Sequence, residues 1–210
     1  MQISKLYETK ITCSNYNPNI DDTITVTVAL VDFNGNNVTG TNATITVNQG
    51  YFTKYTRNSS DTAISGTTTK SYNGTTGTDG TFTMTYKCSE WGLATFSANN
   101  TKTQLNTTGW RNINTTTSSD TVKLYTNGAL VKLELLGPEW TTSTSWSSRG
   151  QYIPEEYSPE RPVIVVEHHG DTLIRVSNYS EDEGNLRIKS LSSANATPVH
   201  MYAELLWSKF

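Results

Sequence analysis

The chain has 210 residues, of which 34% are hydrophobic and 17% charged, and a formal net charge of −3; this length holds two domains of about 100 residues each. The rest is dominated by Thr, Ser, Asn and Gly, which lose helix propensity and suit strands with one wet face, so long helical bundles are excluded in favour of thin β-sandwiches. No Lys/Arg cluster is strong enough to grip a phosphate backbone and no apolar run approaches the length of a membrane span, so neither nucleic acid nor membrane insertion is an expected mode of action.

Residues 1–10 lack the apolar core of a secretory signal. If Met1 is the native start, an exposed role calls for release by lysis rather than secretion. Two cysteines follow, Cys13 and Cys88. Two thiols alone cannot complete a structural zinc site. They are either a disulfide pair or two sheltered free thiols, and the sequence leaves both open.

Thr23–Val31 alternates apolar residues with Thr, the period-two signature of a half-buried strand. Asp32-Phe-Asn-Gly35 turns the chain into a second alternating run, Asn42–Val47. Thr53–Thr78 is polar, with alternation only near Thr67–Tyr72, and reads as an insertion. Thr78-Asp-Gly80 then opens a strand at Thr81–Tyr86, and Ser89–Gly92 opens another at Leu93–Ala98. Short strands at such spacing make a β-sandwich. Asn99–Thr108 reads as a linker, which places the domains at 1–105 and 106–210.

The second half opens at Gly109-Trp110, with Trp110 expected to pack on its own sheet. Val122, Leu124, Val131, Leu133 and Leu135 alternate with Lys123, Lys132 and Glu134 around Asn127-Gly128, a two-residue type I′ hairpin signal. A Pro/aromatic clasp follows, Tyr152-Ile-Pro154-Glu-Glu-Tyr157-Ser-Pro159. Further β runs cover Pro162–Glu167, Thr172–Ser177, Gly184–Ser190 and Val199–Trp207, with an acidic turn at Ser180–Glu183.

These residues carry two resemblances. Asp21-Asp-Thr-Ile-Thr-Val-Thr-Val28, Asp32-x-Asn-Gly-Asn-x-Val-x-Gly40, Thr78-Asp-Gly-Thr-Phe-Thr-Met-Thr-Tyr86 and Trp91-Gly-Leu-Ala-Thr-Phe-Ser-Ala98 are similar to the bacterial Ig-like domain of the invasin/intimin type, with Asn37 where Pro is usual. That resemblance covers most of residues 10–100 and implies a spacer sandwich. From Trp110 to Phe210, the early Gly-Trp, the strand pair, Ile153-Pro-Glu-Glu-Tyr157-Ser-Pro159, Asn185-Leu-Arg-Ile-Lys189 and Tyr202–Trp207 resemble the C-terminal head of tailed-virus fibre and baseplate proteins. This second resemblance implies an antiparallel sandwich, a homotrimer and ligand sites at the exposed end or between subunits.

The chemistry points to recognition. Trp140 and Trp146 lie in a Thr/Ser-rich stretch, and Trp faces beside hydroxyls suit stacking on sugar C–H groups; Arg149 and Tyr179 are candidate helpers. The rival reading has one or both Trp closing the end of the sandwich or an inter-subunit contact. His168 and His169 are adjacent, so a regular strand points them to opposite faces, and His200 reads as a packed strand residue. Glu155, Glu156, Glu160, Glu181, Asp182 and Glu183 could serve as paired carboxylates or calcium ligands, but they read as solvated turns. Asn-x-Ser/Thr triplets at Asn37, Asn42, Asn58, Asn73, Asn99, Asn106, Asn114, Asn178 and Asn195 read as a product of composition. No nucleophile elbow, phosphate loop or HExxH motif occurs, and no cofactor is implied.

The expectation is an all-β, two-sandwich, non-enzymatic virion structural protein: a tail fibre, baseplate or surface appendage. Its expected partners are a host cell-surface glycan or protein and other virion proteins. The rival is an Ig-like cell-surface adhesin fragment of a prokaryote. An enzyme such as a glycan depolymerase ranks third, because two small sandwiches leave little room for a cleft.

Overall fold

The computed structural model describes residues 7–66, 68–113, 121–167, 171–191 and 195–209. The chain divides into two compact units, Met1–Gly109 and Trp110–Phe210, each a pair of antiparallel sheets. The fold is all-β, as the composition requires.

Unit 1 contains β1 (Tyr7–Cys13), β2 (Thr23–Asp32), β3 (Asn42–Val47), β4 (Tyr51–Arg57), β5 (Ser60–Ala63), β6 (Ser71–Thr75), β7 (Thr81–Lys87), β8 (Gly92–Ala98) and β9 (Thr101–Thr107). One sheet runs β1-β2-β7-β4-β5 and the other β6-β3-β8-β9. Alternation decides which side chains face inward. Ile24, Val26, Val28 and Leu30 of β2 are buried, while the Thr residues between them face out. Each such aliphatic side chain contributes about 1.5–3 kcal/mol on burial. The centre is aromatic: Phe52, Tyr86 and Phe96 are fully buried. The Tyr86 and Phe96 rings meet edge-on with centroids 4.9 Å apart, and the Tyr86 hydroxyl donates to the Gln49 carbonyl at 3.0 Å. At one end, Asp32 Oδ1 accepts from the backbone N–H of Asn34 and of Asn36, locking a turn that leaves Phe33 82% exposed.

Two expectations for this half are corrected. The stretch Thr53–Thr78 is no featureless insertion: it supplies most of β4 and all of β5 and β6. A register shift between Phe52 and Lys54 breaks the period of β4, and Tyr55 and Tyr72 serve as its apolar contacts. Nor is Asn99–Thr108 a linker. It forms β9, which pairs with β8 along its length. Only Leu105 and Thr107 of β9 are buried, so its alternation is carried mostly by polar residues.

The pairing considered for Cys13 and Cys88 is not formed; both are buried free thiols. Cys13 ends β1, Cys88 follows β7, and β2 lies between those strands. Two strand spacings come to about 9.5 Å, beyond the about 7 Å that a disulfide spans between Cα atoms. Burial pushes both thiols from an ordinary 9.0 up to about 11.

Unit 2 contains β10 (Arg111–Asn112), β11 (Val122–Thr126), β12 (Leu130–Thr142), β13 (Ser147–Tyr152), a 3-10 turn (Glu155–Tyr157), β14 (Val163–Val166), β15 (Thr172–Val176), the short helix α1 (Tyr179–Asp182), β16 (Asn185–Ser190) and β17 (Asn195–Ser208). Its sheets run β10-β11-β12-β17 and β13-β16-β15-β14. Val131, Leu133 and Leu135 from one sheet and Ile174, Val176, Leu186 and Ile188 from the other form the core, with Met201, Leu205 and Trp207. The Pro/aromatic clasp is anchored there, since Trp207 Nε1 donates to the Tyr157 carbonyl at 2.8 Å.

The hairpin at Asn127-Gly128 exists but is not type I′. Pairing closes on Thr126 and Val131, leaving four residues between them. Gly128 has φ +92°, whereas Asn127 is not among the residues of positive φ that type I′ requires. Instead, Asn127 Oδ1 accepts from the N–H of Ala129 and of Leu130, so the side chain acts as an acceptor cap. The acidic turn is also more ordered than expected, forming α1 behind an Asn178 cap.

Candidate ligand-contacting site

The residues singled out for sugar contact do not form one site. Trp140 stands on β12, opposite Val199 of β17, and packs against the core of unit 2. Its side chain is half-buried there. The turn itself is shorter than expected, because β12 runs to Thr142 and β13 starts at Ser147. Trp146 is half-buried beside it. Arg149 on β13 donates from Nη1 to the Thr141 carbonyl at 3.1 Å, and its burial lowers its pKa. Its guanidinium braces β13 to β12.

Tyr179 is exposed, but it lies at the opposite end of its sheet. Ser190 N donates to the Ser143 carbonyl at 2.7 Å, placing the Trp140–Trp146 turn at the C-terminal end of β16. Tyr179 precedes the N-terminal end of that six-residue strand, about 17 Å away at strand rise. The helix it opens is a structural clasp. Asn178 Oδ1 caps Ser180 N at 2.8 Å, and Asn178 Nδ2 donates to the carbonyls of Pro159 and Glu160. Asp182 grips Arg187 through two contacts, Oδ2 to Nε at 2.5 Å and Oδ1 to Nη2 at 2.7 Å. Those bonds, foremost among the causes, hold the Asp182 carboxyl below the usual carboxylate range. Glu181 lies 3.4 Å from Arg175.

His200 is not packed. It is exposed on β17, with Nε2 3.3 Å from Glu139 and Nδ1 3.0 Å from the Gly137 carbonyl oxygen. His168 and His169, and the Asn114 triplet, lie outside the described residues. Asn58, Asn99 and Asn178 of the other triplets hold internal hydrogen bonds.

A different surface gathers aromatic and charged groups: the outer face of the sheet β10-β11-β12-β17. Because Val131, Leu133 and Leu135 point inward, Lys132, Glu134 and Leu136 point outward. Register sets Lys132 opposite Leu206, Glu134 opposite Glu204 and Leu136 opposite Tyr202. Lys132 Nζ donates to Glu134 at 2.6 Å and sits 5.3 Å from the Trp110 ring centroid and 5.1 Å from that of Tyr125. Trp110 thus packs on its sheet through a cation–π contact and keeps 38% exposure. The signal for this face was in the sequence, as the polar half of the alternation that identified the core.

No family model matches the chain, and neither does any curated protein. Among solved structures, 95% of the chain aligns with the adhesin InvE of Yersinia pseudotuberculosis, at 13% identity and a TM-score of 0.38. It spans 58% of that protein chain. Domains 4–9 of the surface layer protein SbsC align with 93% of the chain at 14% identity and a TM-score of 0.30, covering 31% of that structure. Domains 5-6 of the S-layer protein SbsC do so at 15% identity and a TM-score of 0.29, with 97% of that structure covered. Superpositions at this level bear on neither family nor function.

Proposed function

We propose that the chain is a non-enzymatic attachment protein, with unit 1 as spacer and unit 2 as the recognising head of a tailed-virus fibre, baseplate or surface appendage. The observation that carries the non-catalytic part is electrostatic. Among the described residues, the carboxyls with displaced pKa values, Asp32, Asp61, Asp79 and Asp182, are all lowered, chiefly by hydrogen bonds. They act as permanent acceptors that hold turns and strands. A glycan-cleaving acid needs the opposite, a carboxyl held neutral near pH 7.

The mechanism is multivalent docking. A homotrimer presents three copies of one weak site, and simultaneous engagement of a host glycan or protein turns weak contacts into firm attachment. Other virion proteins bind elsewhere on the trimer. The second reading, a segment of a prokaryotic surface adhesin, draws on the Ig-like wording and two-sheet build of unit 1.

Light scattering separates the two readings. A mass three times the 23.2 kDa of one chain supports the fibre head, whereas a stable monomer favours the adhesin segment. Binding of the labelled protein to intact bacterial cells tests both, and failure to bind any cell type across a broad panel sinks the attachment reading itself.

A further inference from the structure

We propose that the outer face of the sheet β10-β11-β12-β17 holds a binding site for neutral glycan chains, built on Tyr202, Leu136, Glu134 and Glu204. The proposal rests on the attachment reading and names its contact surface.

These four side chains, with Leu135 and Ala203 between them, line a shallow, open depression on the sheet surface. Its shape comes from a bulge, since the β12–β17 register shifts between Leu136 and Glu139. Gly137 lies within that bulge, and Tyr202 approaches where a side chain would stand. A Cβ at Gly137 would lie 2.8 Å from the tyrosine hydroxyl oxygen and 3.0 Å from Cζ. The missing Cβ therefore seats the ring, which keeps 44% exposure beside Leu136 at 46%. Large apolar side chains this exposed and adjacent offer a platform for the C–H face of a pyranose.

The polar half of the site is a pair of carboxylates that share one cation. Glu134 and Glu204 are directly opposite across the strands, an arrangement that costs stability through like-charge repulsion. Lys132 pairs with Glu134 at 2.6 Å and its charge also acts on Glu204, whose own oxygens make no ion pair among the described residues. Sugar hydroxyls are donors that satisfy carboxylate oxygens without adding charge, and such bonds are charge-assisted. A neutral hexose therefore meets the ring with its apolar face and the carboxylates with its hydroxyl edge. Acidic sugars are disfavoured by the same carboxylates.

The test titrates the full chain by calorimetry with hexaoses of glucose, galactose and mannose, and with polysialic acid as the acidic probe. Binding of at least one neutral hexaose and none of polysialic acid is expected. Tyr202→Ala should weaken that binding about tenfold. Glu204→Gln, which keeps the shape and removes the charge, should weaken it several-fold, while Phe33→Ala should change nothing. No neutral binding, preference for polysialic acid, or loss on Trp146→Ala with retention in both Tyr202→Ala and Glu204→Gln overturns the site. Cell binding distinguishes the two levels. If wild type and both site variants adhere equally, the site is wrong and attachment stands; if wild type adheres to nothing, attachment itself fails.

Discussion

Gly50 lies at the turn between β3 and β4, with φ +65°. Gly50→Ala places a Cβ 2.2 Å from the Tyr86 hydroxyl oxygen and 2.5 Å from its Cε2 and Cζ atoms. Comfortable separations are about 3.5–4.0 Å, so the ring must move by more than 1 Å. Tyr86 cannot yield easily, because it is fully buried between Phe52, with centroids 6.2 Å apart, and Phe96 at 4.9 Å. Three costs combine: about 1–2 kcal/mol for a left-handed alanine, about 1–3 kcal/mol for overpacking, and about 1 kcal/mol for the strained bond to Gln49. The sum, about 3–6 kcal/mol, is a large part of the about 5–15 kcal/mol that stabilises a domain. Gly35→Ala is the control. Its φ is +81° but no atom lies within 4 Å of the added Cβ, so only the left-handed cost of about 1–2 kcal/mol applies.

The assay follows from the cysteines. Cys13 and Cys88 are the chain's two thiols and both are buried in unit 1, so their reaction with a disulfide dye along a urea series reports the opening of that unit in the intact chain. With a slope of about 2 kcal/mol per molar urea, Gly50→Ala should lower the midpoint by about 2 M and Gly35→Ala by under about 1 M. Equal shifts for the two variants would refute the claim that Tyr86 is held rigidly against the Gly50 backbone.

Two further outcomes concern ionisation. Both thiols have folded pKa values raised by burial to about 11 from 9.0, so their stabilisation is complete below pH 9 and disappears as pH climbs toward 11; the urea midpoint of unit 1 should fall across that window, and a Cys88→Ser variant, which keeps Cys13 as the reporting thiol, should show a shallower decline. Asp182 behaves in the opposite sense. Its pKa is depressed by Arg187 from 3.8, so its contribution is present above pH 4 and lost as pH falls below it. Asp182→Asn should cost unit 2 about 1 kcal/mol at pH 7, read from tryptophan fluorescence, and the gap to wild type should close in acid.

The strands that sequence reasoning found best were those whose buried positions hold aliphatic or aromatic residues without interruption. β2, β7 and β8 read directly, because Ile24, Val26, Val28 and Leu30, then Phe82, Met84 and Tyr86, then Ala94, Phe96 and Ala98 fall on one side. β9 was taken for a linker because Thr101, Thr103 and Thr107 occupy its inward positions with Leu105 as the one large apolar group. Hydrophobic periodicity cannot distinguish a Thr that packs from a Thr that solvates. Similarly, Asn127-Gly128 announced a turn, but whether Asn adopts positive φ or caps with its side chain depends on neighbouring N–H groups that only the folded hairpin positions. The separation of Tyr179 from Trp146 was illegible for a topological reason: each flanks a different end of β16, and nothing local records which end.

The outer sheet face is also favoured over the loops by what the loops' polar groups already do. Asp32 holds its own turn, Asn58 Oδ1 accepts from Thr78 N, Asp79 accepts from Thr81 N, Asn178 caps α1 and Asp182 grips Arg187. A side chain engaged in this way can meet a ligand only by giving up a bond that shapes the loop, so affinity gained there is offset by stability lost. Strand side chains are not needed to hold the main chain, because the backbone ladder already satisfies it. The β12–β17 pair is long, and its register sets Tyr202 opposite Leu136, next to the opposed Glu134 and Glu204 pair. Exposed groups placed by a paired strand scaffold suit the weak, repeated contacts of the proposed attachment. In this chain that combination lies on the wet side of a strand pair whose dry side builds the core.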